Sequence, residues 1–259
     1  MLKPQTFCLW CLLLLQLQLG QCVEIIGGQE VAPHSLPYMA LLENSKGNAF
    51  CGGALIFPQW VLTAAHCEDA HKVLLGVHSR SSQEKEKECR QIRKVKHSVP
   101  HPCYDPDSKV NDLMLLKLDK KIKVTRAVKP LPLPPNAKDV PAGVFCSVAG
   151  WGTTKNNGKM SDVLRSANVT VIDRLLCNSK MYYNMTPVIT QDMLCVGSVD
   201  KARSDSCSGD SGGPLLCQGI FRGVTSFGKG CGIKTKPGVY TALSKKHIEW
   251  IQKTIRSAL

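Results

Sequence analysis

After Ile25 the chain is built from short runs, and this limits its possible folds more than any other feature. YMALL, ALIF, VLTAA, KVLLGV, LMLLKL, FCSVAGW, VLRSANVTVI, MLCVG, PLLCQG, FRGVTSFG and GVYTAL are 4 to 10 residues long, with Gly, Pro, Asn or Asp between them. Runs of that length are too short for core helices but suit strands, so many of them in series predict an all-β sandwich or barrel pair. The exception is HIEWIQKTIRS near the end, where Ile248, Ile251 and Ile255 recur at helical spacing. A proline-rich stretch, VKPLPLPPNAKDVPAG (Val128–Gly143), divides the chain near its middle and reads as a connection between two β halves.

The first residues belong to a different regime. Lys3 precedes FCLWCLLLLQLQL (Phe7–Leu19), an apolar run of 13 residues that falls short of the roughly 20 needed to cross a bilayer. Residues 1–22 therefore read as a cleaved secretory signal. No later stretch is long and apolar enough to anchor the chain, so a soluble, exported product is expected. Of the 13 cysteines, Cys8, Cys11 and Cys22 fall in this leader. The remaining ten, scattered through an exported chain, favour a disulfide framework. Zinc is the competing reading, but the mature part has no CxxC pair and only His66–Cys67 and His101–Cys103 as close neighbours. No metal is expected. The net charge of +13 favours polyanions, and for an exported chain these are sulfated glycans, heparin-like chains or a charged granule matrix. Much of that charge lies in EKEKECRQIRKVKH (Glu84–His97) and KLDKKIKVTRAVK (Lys117–Lys129), although such runs are also ordinary solvated faces.

Three motifs carry chemistry. Ser211 lies in GDSGGP, where the flanking glycines permit backbone conformations closed to other residues and let the N–H groups of Gly209 and Ser211 point at one spot. Acyl transfer needs such a place for its oxyanion. A serine is a weak nucleophile unless a base removes its proton. TAAHC (Thr63–Cys67) offers His66, and NDLMLLKL (Asn111–Leu118) offers Asp112 at the head of an apolar strand, placed to orient an imidazole. Alone, a histidine beside a cysteine is usually structural and an aspartate before a strand usually ends a turn. In the order His, Asp, Ser, and beside GDSGGP, they read as a nucleophile–base–orienter set.

These motifs, with IIGG (Ile25–Gly28), AGWG (Ala149–Gly152) and KPGVY (Lys236–Tyr240), make the chain resemble the trypsin/chymotrypsin-type serine proteases from Ile25 to Leu259. The resemblance implies two packed antiparallel six-stranded β-barrels with a C-terminal helix. The barrels fall at about 25–130 and 131–245 and the helix at about 246–257. It implies that cleavage before Ile25 frees an α-ammonium that pairs with Asp210, and that Asp205 forms the floor of the primary specificity pocket between Gly228 and Gly238. A substrate presenting Arg or Lys follows from that acid. Ser226, Phe227 and Gly228 match the strand that pairs with the substrate backbone, with Phe227 where most relatives carry Trp. Val77 stands where calcium-binding members have an acid, which argues against that site.

HSLPYMALL, HPCYDP, VAGWG, NVTVIDR, CNSKMYYN, FRGVTSFG and LSKKHIEW resemble the granzyme branch of the family, stored in the granules of cytotoxic lymphocytes. Val23–Glu24 resembles the dipeptide that a dipeptidyl peptidase removes there. Family pairing implies the bridges Cys51–Cys67, Cys146–Cys217, Cys177–Cys195 and Cys207–Cys231. HPCYDP resembles the segment through which a dimeric granzyme forms its interchain disulfide, which makes Cys103 the candidate for a disulfide-linked homodimer. The Lys229–Lys236 loop is more like a monomeric granzyme. Cys89 could pair with Cys103 within the chain, form a second bridge across the dimer, or stay free. Asn168 (NVT) and Asn184 (NMT) are glycosylation sequons, the second weakened by Pro187 behind it. A catalytically silent glycan- or microbe-binding relative is the rival from another class, and the intact triad, switch and pocket oppose it.

Overall fold

The computed structural model describes residues 28–153, 158–197, 209–228, 233 and 235–257. In the first half, β2 (Met39–Glu43), β3 (Ala49–Phe57), β4 (Trp60–Thr63), β5 (Lys72–Leu75), β6 (Gln91–Pro100) and β7 (Met114–Leu118) close into a barrel in the order β2-β3-β4-β7-β6-β5. The second half holds β8 (Phe145–Gly150), β9 (Arg165–Ile172), β10 (Met193–Gly197), β11 (Pro214–Cys217), β12 (Ile220–Phe227) and β13 (Gly238–Ala242). Their order is β9-β10-β13-β12-β11-β8, and β8 pairs back onto β9 to close a second six-stranded ring. Every pairing is antiparallel, so the expected pair of barrels is present. A short strand before the first barrel, β1 (Gln29–Glu30), adds instead to β9 of the second.

Local chemistry explains the tight connections. β11 and β12 are joined by Gln218–Gly219, both at positive φ (52° and 75°), the two-residue turn whose twist matches a hairpin. The proline-rich connection is ordered along the first barrel. Val128 and Leu131 are buried in its core, and the Leu131 N–H donates to the Leu55 carbonyl at 2.8 Å. Leu55, Leu62, Leu115 and Leu116 are among the fully buried residues of that core, and Val148, Val169, Val196, Leu215 and Tyr240 fill the second. A short helix, α1 (Arg174–Asn178), is capped by the Asp173 carboxylate, which accepts the Leu176 N–H at 2.9 Å.

The C-terminal helix, α2 (Lys245–Ser257), follows the second barrel but buries Ile251 and Ile255 in the core of the first. The sequence pattern places Ile248 on the buried stripe. The structure puts His247 there, with no exposed surface, and leaves Ile248 half-buried. The stripe thus runs 247, 251, 255, one residue per turn. Ahead of β6, the Glu86 carboxylate accepts the N–H groups of His78 (3.1 Å) and Ser79 (2.8 Å) and pairs with Arg90 at 3.0 Å. Although burial opposes it, these partners hold the carboxyl below the usual carboxylate range.

His101 packs edge-on against Trp250 (4.8 Å between centroids) and His247 (5.5 Å), and its Nδ1 accepts the Cys103 N–H at 3.2 Å. Burial first, then the neighbouring His247 and Lys246 charges, push its pKa down to about 4. The folded chain therefore binds fewer protons than the unfolded one between that value and the unfolded pKa, about 6.5. The stabilisation is complete above about 6.5 and is lost as the pH falls toward 4. A ring-proton NMR titration of His101 should give a midpoint of about 4, with the unfolding temperature falling across the same window. A midpoint near 6.5 would mean that the ring is solvated.

Candidate active site

His66 lies just past the end of β4 and Asp112 just before the start of β7. These strands are antiparallel neighbours with Thr63 opposite Met114, so the two side chains emerge at one end of the first barrel. Asp112 is fully buried. Its Oδ1 accepts the His66 backbone N–H at 3.0 Å, and its Oδ2 lies 2.8 Å from His66 Nδ1. A carboxylate only accepts, so Nδ1 carries the proton and Nε2 is left as the basic nitrogen. The Cys51–Cys67 bridge, next in sequence to His66, ties this end of the barrel to β3.

The second barrel supplies Ser211, on the turn before β11. Gly212 (φ +80°) and Gly213 follow it, and the Gly212 N–H donates to the Thr225 carbonyl at 2.8 Å. A Cβ at Gly212 would lie 2.1 Å from Thr63 Oγ1 and 2.5 Å from the Gly52 carbonyl oxygen. Only glycine lets the serine turn approach the segment that leads to His66 so closely. The Gly52 N–H of the first barrel donates to the Ser211 carbonyl at 2.7 Å, and Thr63 Oγ1 donates to the Gly52 carbonyl at 2.8 Å. The serine turn and the histidine segment are thus joined across the two barrels. Among the described residues, the N–H groups of Gly209 (φ +99°) and Ser211 have no hydrogen-bond acceptor.

Asp210 is buried against AGWG. Its Oδ1 accepts the Gly152 N–H at 2.8 Å, and a Cβ at Gly150 would sit 2.0 Å from the same oxygen. The motif's glycines are therefore room for a carboxylate, a role the sequence reading did not give them. Ser226, which the resemblance places only on the strand that pairs with the substrate backbone, makes a further contact in the structure. A register shift in β12 between Thr225 and Phe227 turns the Ser226 hydroxyl inward, where it donates to Asp112 Oδ2 at 2.5 Å. Thr241 Oγ1 adds a bond to the Asp112 carbonyl at 3.3 Å. Tyr104 stands nearby, and burial, followed by the negative charges of Asp112, Glu68 and Asp105, pushes its hydroxyl up to about 12.

The remaining candidates divide by location. Phe227, half-buried, packs edge-on against Tyr183 at 5.9 Å. Gly228 and Gly238 lie beside the Phe227–Val239 register pair, at the same end of β12 and β13. Ile25, Asp205, Cys207 and Cys231 lie outside the described residues. Cys146–Cys217 and Cys177–Cys195 are bonded, while Cys89 (half-buried) and Cys103 (exposed) are free thiols. Asn168 and Asn184 are both exposed. Cys51, His66 and Cys67 come within 4.8 Å of one another, but both sulfurs belong to the disulfide, so this group offers an ion only the imidazole. Val77 is packed in an apolar cluster with Met39, Leu41 and Trp151.

The family model described as Trypsin matches residues 25–251. The chain is 52% identical to granzyme A of Bos taurus over 241 residues, covering 92% of this chain and 90% of that protein. It is 43% identical to human granzyme B, covering 90% and 92%, and 40% identical to human kallikrein-4, covering 92% and 90%.

The Asp210 cradle gives a direct test. Gly150→Ala should displace the carboxylate and with it the Gly209–Ser211 turn. Turnover of a small activated ester is expected to fall at least about tenfold, equal to about 1.4 kcal/mol, while the protein still unfolds cooperatively. Unchanged turnover would show that the carboxylate can shift without disturbing the serine.

Proposed function

Because the chain belongs to the trypsin family of serine endopeptidases and acts on protein substrates, we propose that it cleaves peptide bonds after Arg or Lys through an acyl-enzyme. His66 Nε2 takes the Ser211 proton as Oγ attacks the scissile carbonyl. The developing oxyanion is met by the Gly209 and Ser211 N–H groups. The tetrahedral adduct collapses with the His66 proton passing to the leaving amine. Water, deprotonated by the same nitrogen, then hydrolyses the ester. Asp112 holds the imidazole in the required tautomer and stabilises its cation. The reading rests on one observation: the 2.8 Å pair between His66 and a fully buried Asp112, at the end of the barrel that meets the Ser211 turn.

Asp205 is the reason for a basic side chain before the scissile bond. A carboxylate at the floor of a pocket is costly to leave without a cation. Activation is assigned to removal of Val23–Glu24 by a dipeptidyl peptidase, after which the Ile25 ammonium pairs with Asp210. The likeness to granzymes supports a secreted protein stored in cytolytic granules, where a basic surface would be retained by sulfated proteoglycans; elution from heparin at or below physiological salt would refute that retention. Asn168 and Asn184 are the proposed glycosylation sites.

Three forms of the protein on one panel of peptides test the catalytic reading. Processed wild type should cleave after Arg and Lys and bind a covalent organophosphate probe at Ser211. Ser211→Ala should do neither, and protein retaining Val23–Glu24 should be nearly silent. Asp205→Ser should lose about 10²–10³ on basic substrates, a few kcal/mol of transition-state stabilisation. Residual cleavage by Ser211→Ala would sink the mechanism, and an unchanged profile in Asp205→Ser would remove that acid from the pocket.

The exposed Cys103 thiol supports a disulfide-linked homodimer about a two-fold axis, as in a granzyme A-like protein. Protein from an oxidising host should run near twice the monomer mass without reductant and collapse on reduction. Cys103→Ser should run as monomer in both cases. A monomeric wild type under non-reducing conditions would favour the monomeric, granzyme K-like alternative.

A further inference from the structure

Asn111, the residue before Asp112, is buried and held at φ +56°. The left-handed region costs an ordinary L-residue about 1–2 kcal/mol, less for Asn, so this conformation needs support from its surroundings. The Leu113 N–H donates to the Asn111 carbonyl at 2.7 Å, closing a tight reversal over residues 111–113. That reversal carries Asp112 at its apex and directs the carboxylate at His66.

Two side-chain bonds hold the reversal open to no other arrangement. Asn111 Nδ2 donates to the Cys103 carbonyl at 2.8 Å. That bond fixes the orientation of the amide, so the atom 3.0 Å from His247 Nε2 is Oδ1, which only accepts. His247 must therefore donate from Nε2. The Ala242 carbonyl oxygen, 2.6 Å from Nδ1, likewise only accepts, so this arrangement calls for a proton on each ring nitrogen, with Ser244 Oγ 3.1 Å from Nδ1. His247 has no exposed surface and sits in the first turn of α2. A packing role alone would be filled by any apolar ring. A ring with both nitrogens engaged, one of them on the residue next to Asp112, does more than fill space.

We propose that His247 is a positioning residue for hydrolysis. Its Nε2–H fixes the Asn111 amide, the amide fixes the reversal, and the reversal fixes the distance and angle between Asp112 and His66. The proposal rests on the reading of His66, Asp112 and Ser211 as the reacting set.

Steady-state kinetics of the processed protein on a basic peptide substrate tests it. His247→Phe keeps a buried ring and removes the donor. It is expected to lower kcat about tenfold with KM within about twofold and to move the acid limb of kcat/KM toward lower pH, because a displaced carboxylate supports the imidazolium less. His247→Gln, which can still donate to Asn111, should recover most of kcat. Ile251→Ala, on the same helix and equally buried, should lower the unfolding temperature without changing kcat or the acid limb. Asn111→Gly keeps the left-handed backbone and deletes both amide bonds, so it should reproduce the loss in kcat and decides the matter if His247→Phe does not fold. A His247→Phe or Asn111→Gly enzyme with wild-type kcat and pH profile would overturn the proposal. So would a loss confined to KM, or an equal loss in Ile251→Ala. A wild type that fails to bind the organophosphate probe at Ser211 would instead overturn the catalytic reading beneath it.

Discussion

A carboxylate with no solvent exposure cannot stand alone inside a protein, and Asp112 is the group around which the rest of this structure is arranged. Removing an ion from water costs several kcal/mol unless its oxygens are satisfied. Here four bonds come from three parts of the chain: the His66 ring and N–H after β4, the Ser226 hydroxyl on β12, and Thr241 on β13 against the main-chain carbonyl. The first two belong to one barrel and the others to the second. Burying this one charge therefore fixes the relative placement of both halves, and the same bonds that satisfy Asp112 set the tautomer of His66. Stability and reactivity share a single set of hydrogen bonds, so neither can be altered without the other.

Asp210 is the second buried acid beside the serine turn, and the chain handles it differently. Asp210 occupies the space left by Gly150 and Gly152, where the Gly152 N–H donates to its Oδ1. The same device recurs across the barrel junction, where Gly212 brings the serine turn against Thr63 and Gly52. Each of these glycines is a place where a single methyl group would enter another chain segment. Gly212 sets how near the Ser211 turn can come to the segment that leads to His66.

The sequence shows the elements of this arrangement better than their contacts. Short runs ended by Gly, Pro, Asn and Asp indicate strands, and antiparallel barrels follow because each run is long enough to cross a small barrel once. The Ser211 and His66 motifs are legible because their chemistry demands residues of fixed type close together in the chain. Ser226 is not, since its partner Asp112 is 114 residues away and only a register shift in β12 turns it inward. His247 is hidden for the same reason. A histidine directly after two lysines in an amphipathic segment looks like part of a polar face, and Ile248 beside it is the better apolar candidate. Its burial depends on Asn111, which no local pattern links to the last helix. AGWG is visible as a motif, yet its purpose appears only once a carboxylate is seen in the space its glycines leave.

The last helix closes the circuit. The proposed reacting groups, His66 and Asp112 on one side and Ser211 on the other, are divided between barrels, so their geometry is only as firm as the joint between them. Part of that joint is apolar, with Met39, Leu41, Leu74 and Val77 of the first half packed against Trp151 and Leu164 of the second. α2 begins at the end of the second barrel and buries Ile251 and Ile255 in the core of the first, at about 1.5–3 kcal/mol for a fully buried side chain of this kind. The buried stripe of the helix is apolar at Ile251 and Ile255 and polar at His247, which meets Asn111. The apolar part resists opening whatever the register of the helix. The polar part is satisfied at one register alone, the one that holds the turn at Asp112. A helix that is generic in what it packs against and specific at one hydrogen bond can clamp two barrels and at the same time set the geometry of the residue between them.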